Sequence, residues 1–81
     1  MSEQQARDAI KEVLHPIAPE VNLDQVPPDA DLRQELAIDS MDILNFAIGL
    51  EDLTGVTIPE SDYRQVTMIR GCTAYLMQRA A

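Results

Sequence analysis

The sequence predicts an all-α fold, a small antiparallel bundle of three main helices plus one short helix. Three observations point there. Residues 6–17 carry apolar side chains at helical spacing, residues 39–55 open on a capping acid and close on a glycine, and no stretch alternates as a strand does. The 81 residues make a single expected domain, 1–81, and their 46% hydrophobic content supplies one core of Ile, Leu, Val, Met and Ala.

The first helix follows from Ala6, Ile10, Val13, Leu14 and Ile17, which form a stripe facing a core. Ser2 and Glu3 suit its start, and Pro16 ends or kinks it near His15. Residues 18–38 read as a long loop, with Pro19, Pro27 and Pro28 discouraging regular structure. Such a loop is unusual in a compact domain. Val21, Leu23, Val26, Leu32 and Leu36 are expected to pin it to the core, with a short turn at 30–36.

The second helix runs from Asp39 to about Thr54. Asp39 is a suitable N-cap, Asp42 favours the positive helix end, and Gly55 is a natural stop. Val56–Pro59 reads as a short extended stretch, and Pro59-Glu60-Ser61-Asp62 opens the short helix. The last helix begins after Thr67 and carries Met68 or Ile69, Cys72, Tyr75 or Leu76, and Arg79.

The second helix bears two apolar stripes. Ile43, Phe46, Ala47, Leu50 and Leu53 form one that a single buried face satisfies. Met41, Leu44 and Ile48 form another. Either the helix is buried on two sides, or the second stripe is exposed and rimmed by Asp42, Glu51 and Asp52. An apolar strip ringed by acids is a common form of docking surface.

Charge narrows the possible partners. The net charge is −8, and residues 29–62 hold nine acids against Arg33 alone, whereas residues 63–81 hold three arginines and no acid. This field repels nucleic acid and anionic membrane and attracts basic protein surfaces; it also favours a monomer. Taken by itself, it describes any well-solvated surface. Cys72 is the only cysteine, so no internal disulfide framework exists and a reducing cytoplasm is the expected location. The opening MSEQQARDAIKEV lacks the basic and apolar regions of a signal peptide, and no run approaches the ~20 apolar residues of a membrane span.

Catalysis lacks its parts. His15 is the only histidine and reads as a surface or packing residue, so Ser40 has no evident base. The acids of Asp29–Glu35 resemble a calcium loop only superficially: Arg33 stands where an acid is needed and Gln34 where a glycine is needed. Cys72 shares helical spacing with Met68, Ile69 and Leu76 and reads as a small core residue. No phosphate loop or dinucleotide fingerprint is present. No catalytic or metal-ligating residue is assigned.

Ser40 is therefore read either as an ordinary helix-start residue or as a point of modification. The wider pattern decides between them. Asp31-Leu32, Glu35-Leu36-Ala37-Ile38-Asp39-Ser40-Met41-Asp42, Leu50-Glu51-Asp52 and Ile58-Pro59, with Ile58 18 residues past Ser40, together resemble the acyl carrier protein family. Asp-Ser alone is a weak signal. With the downstream dipeptides at these distances it is a strong one.

The resemblance implies an acyl-carrier-like bundle and no enzyme activity. Ser40, flanked by Asp39, would carry 4′-phosphopantetheine, transferred from coenzyme A by a separate magnesium-dependent phosphopantetheinyl transferase. The thiol of that arm would hold an acyl or aminoacyl group as a thioester. Met41, Asp42, Leu44, Asn45, Ile48, Glu51 and Asp52 would face acyl- or aminoacyl-transferring enzymes with basic docking surfaces, and Phe46, Leu50 and Ile58 would line an acyl pocket. Fatty-acid carriers usually have glycine where Ala37 stands and an acid where Asn45 stands, which implies a freestanding carrier for a specialised pathway. Ala37 permits the turn unless a positive φ is required there, and Gly49 inside the helix implies a close approach. Fatty acyl, polyketide, amino acid and lipid-precursor carriers share the motif. The alternative is a carrier-like acidic interaction module that is never modified.

Overall fold

The two longest helices in this chain each begin where a side chain replaces a missing backbone partner. In the computed structural model, which describes residues 1–80, α1 spans Glu3–Leu14. Ser2 Oγ accepts from the Gln5 N–H at 3.1 Å, and Gln5 Oε1 accepts in turn from the Ser2 N–H at 2.9 Å. This reciprocal pair satisfies two of the donors that a helix start leaves open. The helix stops just before His15-Pro16, as the proline requires. Its buried face is Ala6, Ala9, Ile10 and Leu14.

The long connection that follows is tied down at short intervals. Asn22 caps a single 3₁₀ turn, Leu23–Gln25, which drops Leu23 into the core. Asp24 on that turn pairs with Arg7 and Lys11 of α1, each at 3.2 Å, and both cations hold its carboxyl below the ordinary carboxylate range. A one-turn helix, α2 (Leu32–Glu35), starts on Asp31 and buries Leu32 completely. The Leu32 N–H donates to Thr67 O at 2.7 Å, and the Arg70 N–H donates to Pro28 O at 3.0 Å. These bonds hold the loop against the last corner of the chain, where Asp31 and Met68 form an isolated antiparallel bridge.

The second long helix, α3, spans Ser40–Thr54, with Asp39 as its cap and Gly55 ending it at φ 76°. Only glycine adopts that left-handed conformation without steric cost. Residues 56–59 are extended, a 3₁₀ turn covers Glu60–Asp62, and α4 continues it over Tyr63–Val66. The last helix, α5, spans Ile69–Arg79. Helix α1 packs on both α3 and α5, and α4 packs mainly on α5. The core joins Ile10, Leu32, Phe46, Leu50, Val66, Ile69 and Leu76. Both Tyr75 and Leu76 are buried, and the Tyr75 hydroxyl lies 2.7 Å from an Asp62 carboxylate oxygen. Burial, and then that carboxylate, push the phenol above its ordinary pKa.

Two glycines mark close approaches. A Cβ at Gly49 would lie 2.6 Å from Val13 Cγ1 of α1, so the glycine within α3 sits where the two helices meet. At Gly71 a Cβ would run into the Gln65 carbonyl, the tightest point of the α4–α5 corner. One expectation needs correcting. Leu53, whose spacing assigns it to the buried stripe of α3, is 45% exposed. The chain reverses at Gly55 just beyond it, and Val56 and Ile58 fill the core in its place.

Candidate functional site

The two stripes of α3 separate cleanly. Ile43, Phe46, Ala47 and Leu50 are buried, while Met41, Leu44 and Ile48 are 61%, 36% and 49% exposed. The helix is therefore buried on one side only. Asn45, Glu51 and Asp52 lie on the surface around this strip, and Asp42 is half-buried. The result is an uncovered apolar strip with an acidic rim. Glu51 has a second engagement, because its Oε1 accepts from the Ile58 N–H at 3.4 Å and helps hold the 56–59 segment.

Ser40 is the first residue of α3, and its side chain is exposed. The capping task falls to its neighbour. Asp39 Oδ1 accepts from the Asp42 N–H at 2.9 Å, and Asp42 Oδ2 accepts from the Asp39 N–H at 3.3 Å. Among the described residues, no group shares a hydrogen bond with the Ser40 hydroxyl. It stands uncommitted at the positive end of a 15-residue helix.

The approach to that helix is strained. Ala37 has φ 52°, the only positive φ among non-glycine residues described. A positive φ is therefore required at this turn, and the methyl group works against it by about 1 kcal/mol. Two residues later the backbone is set for Asp39 to cap.

A groove of about 520 Å³ opens beside Ser40, within the usual range for ligand sites. One wall is Met41, Ile43 and Leu44 of α3; the facing wall is Ser61, Tyr63, Arg64 and Thr67, with Arg33 also on the lining. Arg33 pairs with Asp31 at 3.2 Å and depresses that carboxyl's pKa. Among the described residues Arg64 has no ion-pair partner. The sequence reading missed this facing wall. Its residues stand 21 or more positions past Ser40, with no short-range signal linking them to it. The one available hint was charge, since Arg33 is the only base in residues 29–62.

Other candidates fall elsewhere. Phe46, Leu50 and Ile58 are 0%, 0% and 6% exposed, so they belong to the closed core and not to the groove. His15 lies on a separate depression past the end of α1. Cys72 is buried, and burial pushes its thiol up to about 12, which keeps it protonated and unreactive. No described set of three or more His, Cys, Asp or Glu residues is arranged to hold a metal, and no described helix is long and apolar enough to cross a membrane.

An exposed, unbonded hydroxyl at a helix N-terminus, with guanidinium groups in the adjoining groove, fits the attachment of an anionic group through an ester. The family model described as "Phosphopantetheine attachment site" matches residues 4–76. The acyl carrier protein of Streptomyces coelicolor is 24% identical over 79 residues, covering 98% of this chain and 86% of that protein. The acyl carrier protein of Cyanidioschyzon merolae is 28% identical over 78 residues, covering 96% of this chain and 85% of that protein. That of Helicobacter pylori (strain G27) is 31% identical over 62 residues, covering 74% of this chain and 80% of that protein.

Proposed function

The chain belongs to the phosphopantetheine-attachment family of carrier proteins, and on that premise we propose that residues 1–81 form one carrier unit, loaded at Ser40, that serves a dedicated biosynthetic pathway. Members of this family are non-catalytic carriers whose prosthetic group is 4′-phosphopantetheine. When bound, that group supplies a flexible thiol on which acyl or aminoacyl cargo is held as a thioester.

The observation that carries the proposal is the division of labour at the α3 start. Asp39 satisfies the helix, which leaves the Ser40 hydroxyl free for a phosphodiester. The open N–H groups and dipole of the helix favour the phosphate's charge there. A phosphopantetheinyl transferase brings coenzyme A, the base and Mg²⁺, so the carrier needs none of its own.

The exposed strip of Met41, Leu44 and Ile48, with Asp42, Asn45, Glu51 and Asp52 around it, is the proposed meeting surface for basic partner enzymes. Fast, salt-sensitive association follows from that charge pattern. Asn45 weakens the acidic field by one charge where fatty-acid carriers usually have an acid, and this supports service outside general fatty-acid synthesis. The cargo is an acyl or aminoacyl group chosen by the partners.

The test is direct. The protein is incubated with coenzyme A, Mg²⁺ and a broad-specificity transferase, and its intact mass and modified peptide are measured. A gain of one phosphopantetheinyl group mapped to Ser40 is expected. No gain with several transferases leaves an unmodified acidic interaction module as the reading, and a gain that survives Ser40→Ala moves the site elsewhere.

A further inference from the structure

The groove beside Ser40 has a chemical asymmetry that simple attachment does not require. Its α3 wall is apolar, through Met41, Ile43 and Leu44, yet it is also lined by Arg33 and Arg64. Two arginines on one groove stand out in a chain of net charge −8, whose central 29–62 segment contains a single base. Arg33 is held by Asp31 through Nε and Nη2, at 3.4 and 3.2 Å, which orients its guanidinium plane. Its side chain remains 52% exposed, with donors to spare. Arg64 is committed to no carboxylate among the described residues, although Glu60 lies on the same groove. A long, unpaired cation beside an acidic helix is free to take an anion placed on Ser40.

We propose that Arg33 and Arg64 clamp the phosphodiester attached at Ser40 and thereby lay the arm along the groove between α3 and α4, against Met41 and Leu44. This rests on the reading of Ser40 as the attachment point. Guanidinium groups suit phosphate oxygens because their planar donors meet two oxygens at once. The clamp gives the arm a resting position on the protein, and salt or a competing partner cation releases it. Arg33 and Arg64 are positioning residues in this arrangement; neither takes part in a chemical step.

The test loads the protein with phosphopantetheine, places a nitroxide on the arm thiol, and reads paramagnetic broadening of the backbone amides of Ser61–Thr67. Cys72 is buried and protonated, so the label reports on the arm. In the wild type these amides broaden selectively, and raising salt to about 0.5 M reduces the effect, because exposed ion pairs are screened. Arg33→Gln with Arg64→Gln lowers arm occupancy roughly two- to five-fold, the range exposed ion pairs support, and the ³¹P resonance shifts with it. Arg64→Lys retains part of the broadening, as a charge-dependent clamp predicts. Both arginines are exposed, so the double variant is expected to fold, and circular dichroism checks this before the arm is read. Loaded protein with broadening indifferent to both salt and the double substitution overturns the clamp while leaving the attachment reading intact. A wild type that never gains the arm overturns the attachment reading itself, and the clamp with it.

Discussion

Helices α1 and α3 open with the same device and make opposite use of a serine. At α1 the serine is the cap: Ser2 Oγ accepts from the Gln5 N–H, and Gln5 answers it. At α3 the cap and its reciprocal partner are both aspartates, Asp39 and Asp42, and the serine is displaced one position into the helix. That single step decides whether the hydroxyl is taken up by the helix start. A serine at the cap position is consumed by the fold, whereas a serine one residue later is left over with the same favourable electrostatics and no structural duty.

Substitutions at the two helix starts separate the roles of Ser2 and Ser40. The largest expected effect is Ser40→Ala, which abolishes phosphopantetheine loading in an intact-mass assay while moving stability by no more than about 0.5 kcal/mol, as for an exposed residue. Loss of the fold in this variant would contradict the division of labour. Next, Asp39→Ala removes the α3 cap and costs about 1–2 kcal/mol in urea unfolding, with slower loading because Ser40 is less well fixed. Asp39→Ser restores most of that stability, and peptide mapping then finds the arm on Ser40 and not on the new serine. Ser2→Ala costs about 1 kcal/mol, a fall of roughly 4–8 °C in melting temperature, with loading unchanged. Ala37→Gly, which relieves φ 52° in the turn before α3, raises stability by about 0.5–1 kcal/mol.

The smallest effect concerns α2, whose cap Asp31 is also ion-paired to Arg33. The Asp31 carboxyl lies below its ordinary value of 3.8, so the unfolded chain takes up a proton first as pH falls. Its contribution is fully present above about pH 3.8 and disappears as pH drops through the lowered folded value. Arg33→Gln removes the guanidinium bonds but keeps the backbone N–H donated to Asp31 Oδ1 at 2.9 Å, so it reduces that acid sensitivity without abolishing it, and unfolding measured across this window checks it.

These contrasts also explain what was readable in the chain. The bounds of α3 were legible because a cap acid and a stop glycine are local signals, and Asp39 and Gly55 act where they were expected. The core assignments of Ile10, Phe46 and Leu50 followed from spacing. Leu53 misled because helical period carries no information about where the next segment will turn back. The residue type of Ala37 does not signal its positive φ; the only pointer is the glycine usual at this position in the fatty-acid carriers the chain resembles. Arg64 was missed for a different reason. It joins the groove only through the tertiary fold, by bonds such as Leu32 N–H to Thr67 O that fasten the central loop to the α4–α5 corner.

The buried Cys72 has a consequence for traffic along the molecule. A thioester migrates readily to any neighbouring thiolate, and a carrier with an ionised cysteine of its own would compete for its cargo. With that sulfur buried in the same core cluster as Ile69, Tyr75 and Leu76, and its pKa pushed up to about 12 by burial, the cysteine offers a thioester on the proposed arm no thiolate to move to.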